Sequence, residues 1–282
     1  MVDMEAQYNN RARVPEHPQI FEHWQREAAA YRAQARCELD VPYGDGTHPR
    51  HVLDVFLPSA DEPRGVFLFI HGGYWQGLDK SLFSHFACVL NARGFAVAMA
   101  NYRLCPDVSV ADIVDEMLAA SLHLADRFGE AITIFGHSAG GHLAACMLAA
   151  NWESVHPGLG FAPVKAACGL SGLYDLPPLV QTSVNIKLGL DEGMAHRLSP
   201  AFWPAPVGKS FAAFVGETEP FEYQRQSRLI CDVWGKGGAH TQLHVEDSAN
   251  HFTILEPLLD ENSRMIAVLT ALAAHSPKAA AI

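Results

Sequence analysis

The chain has 282 residues, of which 49% are hydrophobic, and a net charge of −11. That length suits one large α/β domain or two small ones, and the apolar content supplies a substantial core and argues against disorder. The acidic balance speaks against non-specific binding to nucleic acid or to an anionic membrane, and no apolar run is long enough to span a bilayer. Asp3, Glu5, Arg11 and Arg13 interrupt the opening, so no secretory leader is expected. The six cysteines (Cys37, Cys88, Cys105, Cys146, Cys168 and Cys231) are scattered with no C-x-x-C pair. Reduced thiols in a cytoplasmic enzyme are the simplest expectation.

In chain order, the first predicted element is a helix over 16–36, where Ile20, Phe21, Trp24, Ala28 and Tyr31 recur at helical spacing. Residues 1–40 read as an N-terminal helical extension laid on the main domain. Residues 51–57 alternate like a partly exposed strand, and Pro58 ends it. Residues 66–70 are continuously apolar, as in a central parallel strand, and run into His71-Gly72-Gly73-Tyr74-Trp75. A helix is expected over 82–90, a buried strand over 95–100 and a long helix over 110–128. A strand over 132–135 then leads through a turn to a helix over 141–151. Further strands are expected over 164–170, 211–215 and 242–245, with a closing helix over 265–274. Strands alternating with helices imply right-handed βαβ units and a mostly parallel central sheet flanked by helices, in one α/β domain over 1–282. Pro177, Pro178, Pro200, Pro204 and Pro206 break up 174–206, which is expected to form a small cap over the site.

Gly136-His137-Ser138-Ala139-Gly140 is a G-x-S-x-G pattern between the apolar strand and the Ala-rich helix. It describes a sharp strand–helix turn with one hydroxyl at its apex, where glycines remove Cβ atoms that would collide. A serine hydroxyl needs a base to take its proton, and the base needs a third group to fix its tautomer. In the α/β-hydrolase order the acid and then the histidine follow the serine. His251, in the loop after the last strand, is the candidate base; His244 falls within a strand and His275 in the tail. The acid should follow the strand at 211–215, where Glu217, Glu219 and Glu222 compete and composition does not separate them. Asp175 follows the wrong strand, and Asp247 stands too near the histidine. For the oxyanion of acyl transfer, the N–H of Ala139 is one candidate donor. Gly73 and Tyr74, with Gly72 beside them, are the others. Fifteen histidines invite a metal, but there is no H-E-x-x-H or Cys/His cluster, and His137 and His142 have no third ligand near them in sequence. Neither a metal nor a cofactor is expected.

These residues carry a resemblance to the kynurenine formamidase (arylformamidase) family of α/β-hydrolases, near the hormone-sensitive-lipase-like esterases. It covers nearly the whole chain. It rests on Glu5-Ala6-Gln7-Tyr8, Val41-Pro42-Tyr43-Gly44-Asp45-Gly46, the strand at 53–58, the H-G-G-x-W stretch at 71–75 and the serine turn at 136–144. Ser171-Gly172-Leu173-Tyr174-Asp175-Leu176, Arg225-Gln226-Ser227 and His251-Phe252 complete it. The family usually has an Asp in D-S-P-E-F-x-R-Q-S; counting back from Arg225 puts Glu219 there, so the resemblance selects Glu219, with Glu in place of Asp. It implies hydrolysis of N-formyl-L-kynurenine to formate and L-kynurenine through a formyl-serine, and a homodimer. A carboxylesterase acting on small aryl or alkyl esters is the alternative. An aromatic leaving group makes Tyr74, Trp75, Phe202, Trp203, Phe221 and Phe252 candidate walls.

Overall fold

Val66, Leu68 and Ile70 pack to one side of their strand and Phe67 and Phe69 to the other, and this alternation builds the two layers of the core. The computed structural model describes residues 3–274; His275 and the small-residue tail after Pro277 lie outside them. The chain opens with helices α1 (Met4–Tyr8), α2 (Asn10–Arg13) and α3 (His17–Gln34). Strands β1 (Cys37–Pro42), β2 (Val52–Phe56) and β3 (Val66–Ile70) follow, then α4 (Cys88–Ala92), β4 (Ala96–Ala100), α5 (Val110–Phe128) and β5 (Ile132–His137). Next come α6 (Ala139–Ala149), α7 (Trp152–Val155), β6 (Val164–Leu170), α8 (Asn185–Leu188), α9 (Glu192–Arg197) and β7 (Ser210–Gly216). Helix α10 (Phe221–Lys236), strand β8 (His240–Glu246) and helix α11 (Arg264–Ala274) close the described chain.

The strands form one eight-stranded sheet in the order β1-β2-β4-β3-β5-β6-β7-β8. The β1–β2 and β2–β4 pairs are antiparallel, and every pair from β4–β3 onward is parallel. Helices α5, α6 and α10 cover one face, and α3 and α11 the other. Burial on both faces is why β3 and β4 read as unbroken apolar runs. Helix α5 has sharp ends. Ser109 Oγ accepts the Asp112 N–H, the Asp112 carboxylate takes the Ser109 N–H at 2.8 Å, and Gly129 turns the chain away at φ 66°.

Two expectations need correction. The helical extension does not reach residue 40, because Cys37 already pairs with Phe56 as the start of edge strand β1. Its exposed Glu38, Leu39 and Asp40 gave no apolar alternation to read. The helix expected over 82–90 is two short 3-10 turns, Lys80–Leu82 and Ser84–Ala87, before α4. The segment over 174–206 is a chain of short helical pieces, and only Ser183, Val184 and Lys187 from it line the cleft above Ser138. The N-terminal segment contributes more of that lining than the cap does.

The turn between β5 and α6 leaves no room for side chains at its glycines. A Cβ on Gly140 would lie 1.9 Å from the Ile70 carbonyl oxygen, and one on Gly136 2.1 Å from that of Gly140. Gly140→Ala should therefore cost about 3 kcal/mol or more in urea unfolding, since only a backbone shift relieves the contact. Gly129→Ala, at φ 66° in open space, should cost about 1 kcal/mol. Equal losses for the two would show that the close approach is not what constrains the turn.

Candidate active site

Strand β5 delivers Ser138 to the sheet's carboxyl edge, and the backbone there is held out of its ordinary range. Ser138 has φ 57° and ψ −117°, a conformation that costs about 1–3 kcal/mol and persists only where the surroundings over-determine it. Here they do. The Ser138 N–H donates to the Leu170 carbonyl at 2.8 Å, and the Ser138 carbonyl accepts from Gly141 and His142 in the first turn of α6.

His251 Nε2 lies 3.1 Å from Ser138 Oγ, and His251 Nδ1 lies 2.8 Å from Glu219 Oε2. The carboxylate can only accept, so Nδ1 carries the proton and Nε2 presents its lone pair to the serine hydroxyl. The other oxygen of Glu219 accepts the Gly216 N–H at 2.8 Å and the Ser171 hydroxyl. Exposure is 2% for Ser138 and 5% for both Glu219 and His251. This arrangement can deprotonate a hydroxyl and hold the resulting imidazolium in a water-poor setting.

The other acids of the loop are engaged elsewhere. Glu217 is exposed and accepts the Ser248 N–H at 2.9 Å. Glu222 takes the Tyr8 hydroxyl at 2.7 Å and two N–H groups of Arg225. Asp175 pairs with Arg225 at 2.8 Å. His244, in β8, stacks on Phe214 of β7. The tie among the glutamates is thus broken by what each one touches.

The loop over 71–75 packs directly on the nucleophile: a Cβ on Gly72 would stand 2.9 Å from the His137 carbonyl oxygen and 3.0 Å from Ser138 Cβ. Gly73, Tyr74 and Trp75 all have positive φ (107°, 51° and 56°), which turns successive N–H groups inward. Among the described residues, the N–H groups of Gly73, Tyr74 and Ala139 find no protein acceptor. Three buried histidines brace this region. His71 stacks on Tyr102 at 4.4 Å, and His142 Nε2 meets the Leu198 carbonyl at 2.8 Å. His137 Nε2 meets the His251 carbonyl at 2.7 Å, fixing the backbone of the base. Burial holds His71 and His142 down to about 4. Burial, and then the charge of His251, hold His137 well below the usual imidazole range. All three are neutral near pH 7. His137 and His142 serve packing and hydrogen bonding, and among the described residues no group of three or more His, Cys, Asp or Glu could hold a metal.

Ser138 and His251 open into a cleft of about 330 Å³. Of the proposed aromatic walls, Tyr74 and Phe252 line it. Trp75, Phe202, Trp203 and Phe221 do not, and those assignments are corrected. Trp75 is fully buried with its ring edge-on to His142. Phe202 is 45% exposed and stacks on His196, and Phe221 is 67% exposed at the start of α10. Trp203 donates its indole N–H to the Arg197 carbonyl. The walls that the sequence reading missed come from the N-terminal segment: Tyr8, Asn10, Phe21 and Trp24. The helical spacing of Phe21 and Trp24 signalled a buried face but not what it was buried against. A polar cluster pins this segment. Tyr74 donates to the Tyr8 carbonyl at 2.6 Å, Asn10 donates to the Tyr223 hydroxyl at 2.7 Å, and the Tyr223 ring lies 4.6 Å from that of His251.

A mostly parallel sheet with a serine at the β5–α6 turn and a late histidine defines the chain as an α/β-hydrolase, an enzyme acting on amide or ester bonds. Residues 53–185 match the BD-FAE family model. Kynurenine formamidase from Danio rerio is 30% identical over 82% of this chain and 80% of that protein. The Drosophila melanogaster kynurenine formamidase is 32% identical over 78% and 76%. A crystal structure described as a thioesterase candidate, from Silicibacter, superposes with a TM-score of 0.84 at 33% identity, covering 96% of this chain and 100% of that one. The chain belongs to the kynurenine formamidase family.

Glu219→Gln should lower kcat about a thousandfold with the fold intact, because the imidazole loses the acceptor that sets its tautomer. Glu217→Gln should stay within about twofold of the parent, since exposed groups away from the site matter little. The reverse pattern in steady-state kinetics would move the acid to Glu217. The buried histidines set a stability limit as well. The unfolded chain takes up protons below about pH 6.5 and the folded sites do not until near 4, so stability is whole above about 6.5 and is lost as pH falls toward 4. The urea midpoint should drop between about pH 7 and pH 5, and His142→Gln should make that decline shallower.

Proposed function

We propose that the chain hydrolyses N-formyl-L-kynurenine, an aryl formamide, to formate and L-kynurenine through a formyl-serine intermediate. The observation that carries this reading is the alignment of Glu219, His251 and Ser138 at 2.8 Å and 3.1 Å at the floor of a cleft walled by Tyr74, Trp24, Phe21 and Phe252. The 30% identity to the Danio rerio protein supports the choice of substrate.

In the reaction, His251 Nε2 takes the hydroxyl proton as Ser138 Oγ bonds to the formyl carbon. The N–H groups of Gly73, Tyr74 and Ala139, with Gly72 closing the loop beside them, hold the oxyanion. His251 then gives its proton to the aniline nitrogen as the C–N bond breaks. Water, deprotonated by His251 Nε2, attacks the formyl ester, and Ser138 recovers that proton from His251 as formate leaves. The chemistry asks for no metal or cofactor. We assign the enzyme to the cytoplasm on its free cysteines; no helix among the described residues is long and apolar enough to cross a membrane. The homodimer implied by the resemblance is part of the same proposal.

The test compares kcat/KM for N-formyl-L-kynurenine with that for phenyl acetate. Formamide turnover is expected, with a formyl adduct on Ser138 detectable by mass spectrometry after rapid quenching. Ser138→Ala should lower both activities about ten-thousandfold or more. Ester cleavage with no formamide cleavage would give the protein to the carboxylesterases.

A further inference from the structure

The chain is acidic overall, at −11, yet two of the three charged side chains lining the cleft are cations. Arg11 and Lys187 line it together with Glu5. Glu5 is already engaged: it accepts the Ser183 N–H and the Ser183 hydroxyl, each at 2.7 Å. The Ser183 N–H, and then its hydroxyl, hold the Glu5 carboxyl below its ordinary value, so it stays anionic. Arg11 and Lys187 are exposed, and among the described residues neither has an ion-pair or hydrogen-bond partner.

Their positions are set although their side chains are free. Arg11 follows Asn10, which is buried and bonded to Tyr223. Lys187 sits in α8, four residues after Ser183, whose two bonds to Glu5 tie the cap segment to α1. The cations thus come from two separate segments clamped together beside one opening. Below them the cleft is aromatic, with Phe21, Trp24 and Phe252. An apolar floor under an unpaired guanidinium and ammonium suits a ligand with an aromatic ring and a carboxylate: the ring buries its faces, and the guanidinium offers a two-pronged match to the anion.

We infer that Arg11 and Lys187 form an anion-recognition site at the mouth of the cleft, which selects substrates carrying a carboxylate on the leaving-group side. This rests on the reading of the Ser138 cleft as the substrate site. It adds that selection is electrostatic and is made by the N-terminal segment and the cap together. Opposite charge at the entrance also raises the encounter rate at low ionic strength.

The test uses 4-acetoxybenzoate and its methyl ester, which differ in the charge of the leaving group and in one methyl group. In the Arg11→Ala, Lys187→Ala double variant the ratio of kcat/KM for the anionic to the neutral ester should fall about tenfold, with the loss in KM. Raising the salt concentration from about 0.02 M to about 0.5 M should lower the same ratio in the parent and not in the double variant. An unchanged ratio in the double variant, or one insensitive to salt in the parent, overturns the inference. N-formyl-L-kynurenine turnover measured alongside separates the two proposals. If the ratio falls as expected while the formamide is never cleaved, the anion site stands and the formamidase reading fails. If the formamide is cleaved and the ratio does not move, the reverse holds.

Discussion

A Cβ on Gly140 would stand 1.9 Å from the Ile70 carbonyl oxygen, so α6 can cross the end of β3 this closely only with a hydrogen in that place. The same crowding sets Gly136 against the Gly140 carbonyl, and Gly141 against Gly172 at the end of β6. Three strand ends and one helix start therefore converge on a single turn, and Ser138 is the residue left to bridge them at φ 57°. The strain in that residue is small beside the packing that enforces it. Its consequence is chemical: the side chain is lifted off the sheet toward His251, whose Nε2 lies 3.1 Å from Ser138 Oγ.

Around that turn the protein spends buried polar groups on alignment. Glu219 is desolvated, yet it meets the Gly216 N–H, the Ser171 hydroxyl and His251, so both carboxylate oxygens are satisfied. His137, the neighbour of the nucleophile, anchors the backbone of the base. One residue of the serine motif thus holds the backbone of His251, 114 positions away in the chain. Tyr223 joins the two halves of the arrangement, since its ring lies against His251 and its hydroxyl meets Asn10 and Tyr74. These bonds tie the N-terminal segment to the surroundings of His251. The N-terminal helices belong to the active cleft for this reason, and are more than packing laid on its outside.

The site was legible in part because α/β-hydrolases place their chemistry at fixed points of the topology. A G-x-S-x-G turn after a buried strand, a Gly-Gly loop after an earlier strand and a histidine after the last strand each carry a local signature. The acid carried none: Glu217, Glu219 and Glu222 differ in what they touch, not in what precedes them. The aromatic walls failed for a related reason. Trp75 and Phe252 look alike in sequence, each an aromatic residue beside a site motif, but one points into the core against His142 and the other into the cleft. Strand β1 went unread because an exposed edge strand with Glu38 and Asp40 on it has no apolar alternation. The helix expected over 82–90 starts only at Cys88, after two 3-10 turns, although its apolar residues, including Phe83, Phe86 and Leu90, are buried as the pattern implied.

By itself the sequence determined the parallel sheet and the places of the serine turn and of the late histidine loop, because these depend on local periodicity and on glycines at a tight turn. Tertiary structure showed Glu219, the acid that the family resemblance had selected, on His251, and it alone decided which aromatic rings wall the cleft and that Tyr8, Asn10 and Arg11 stand beside residues more than 120 positions later in the chain. Those facts depend on contacts between segments far apart in sequence, and no local pattern encodes the partner of a side chain whose neighbour is brought to it by the fold.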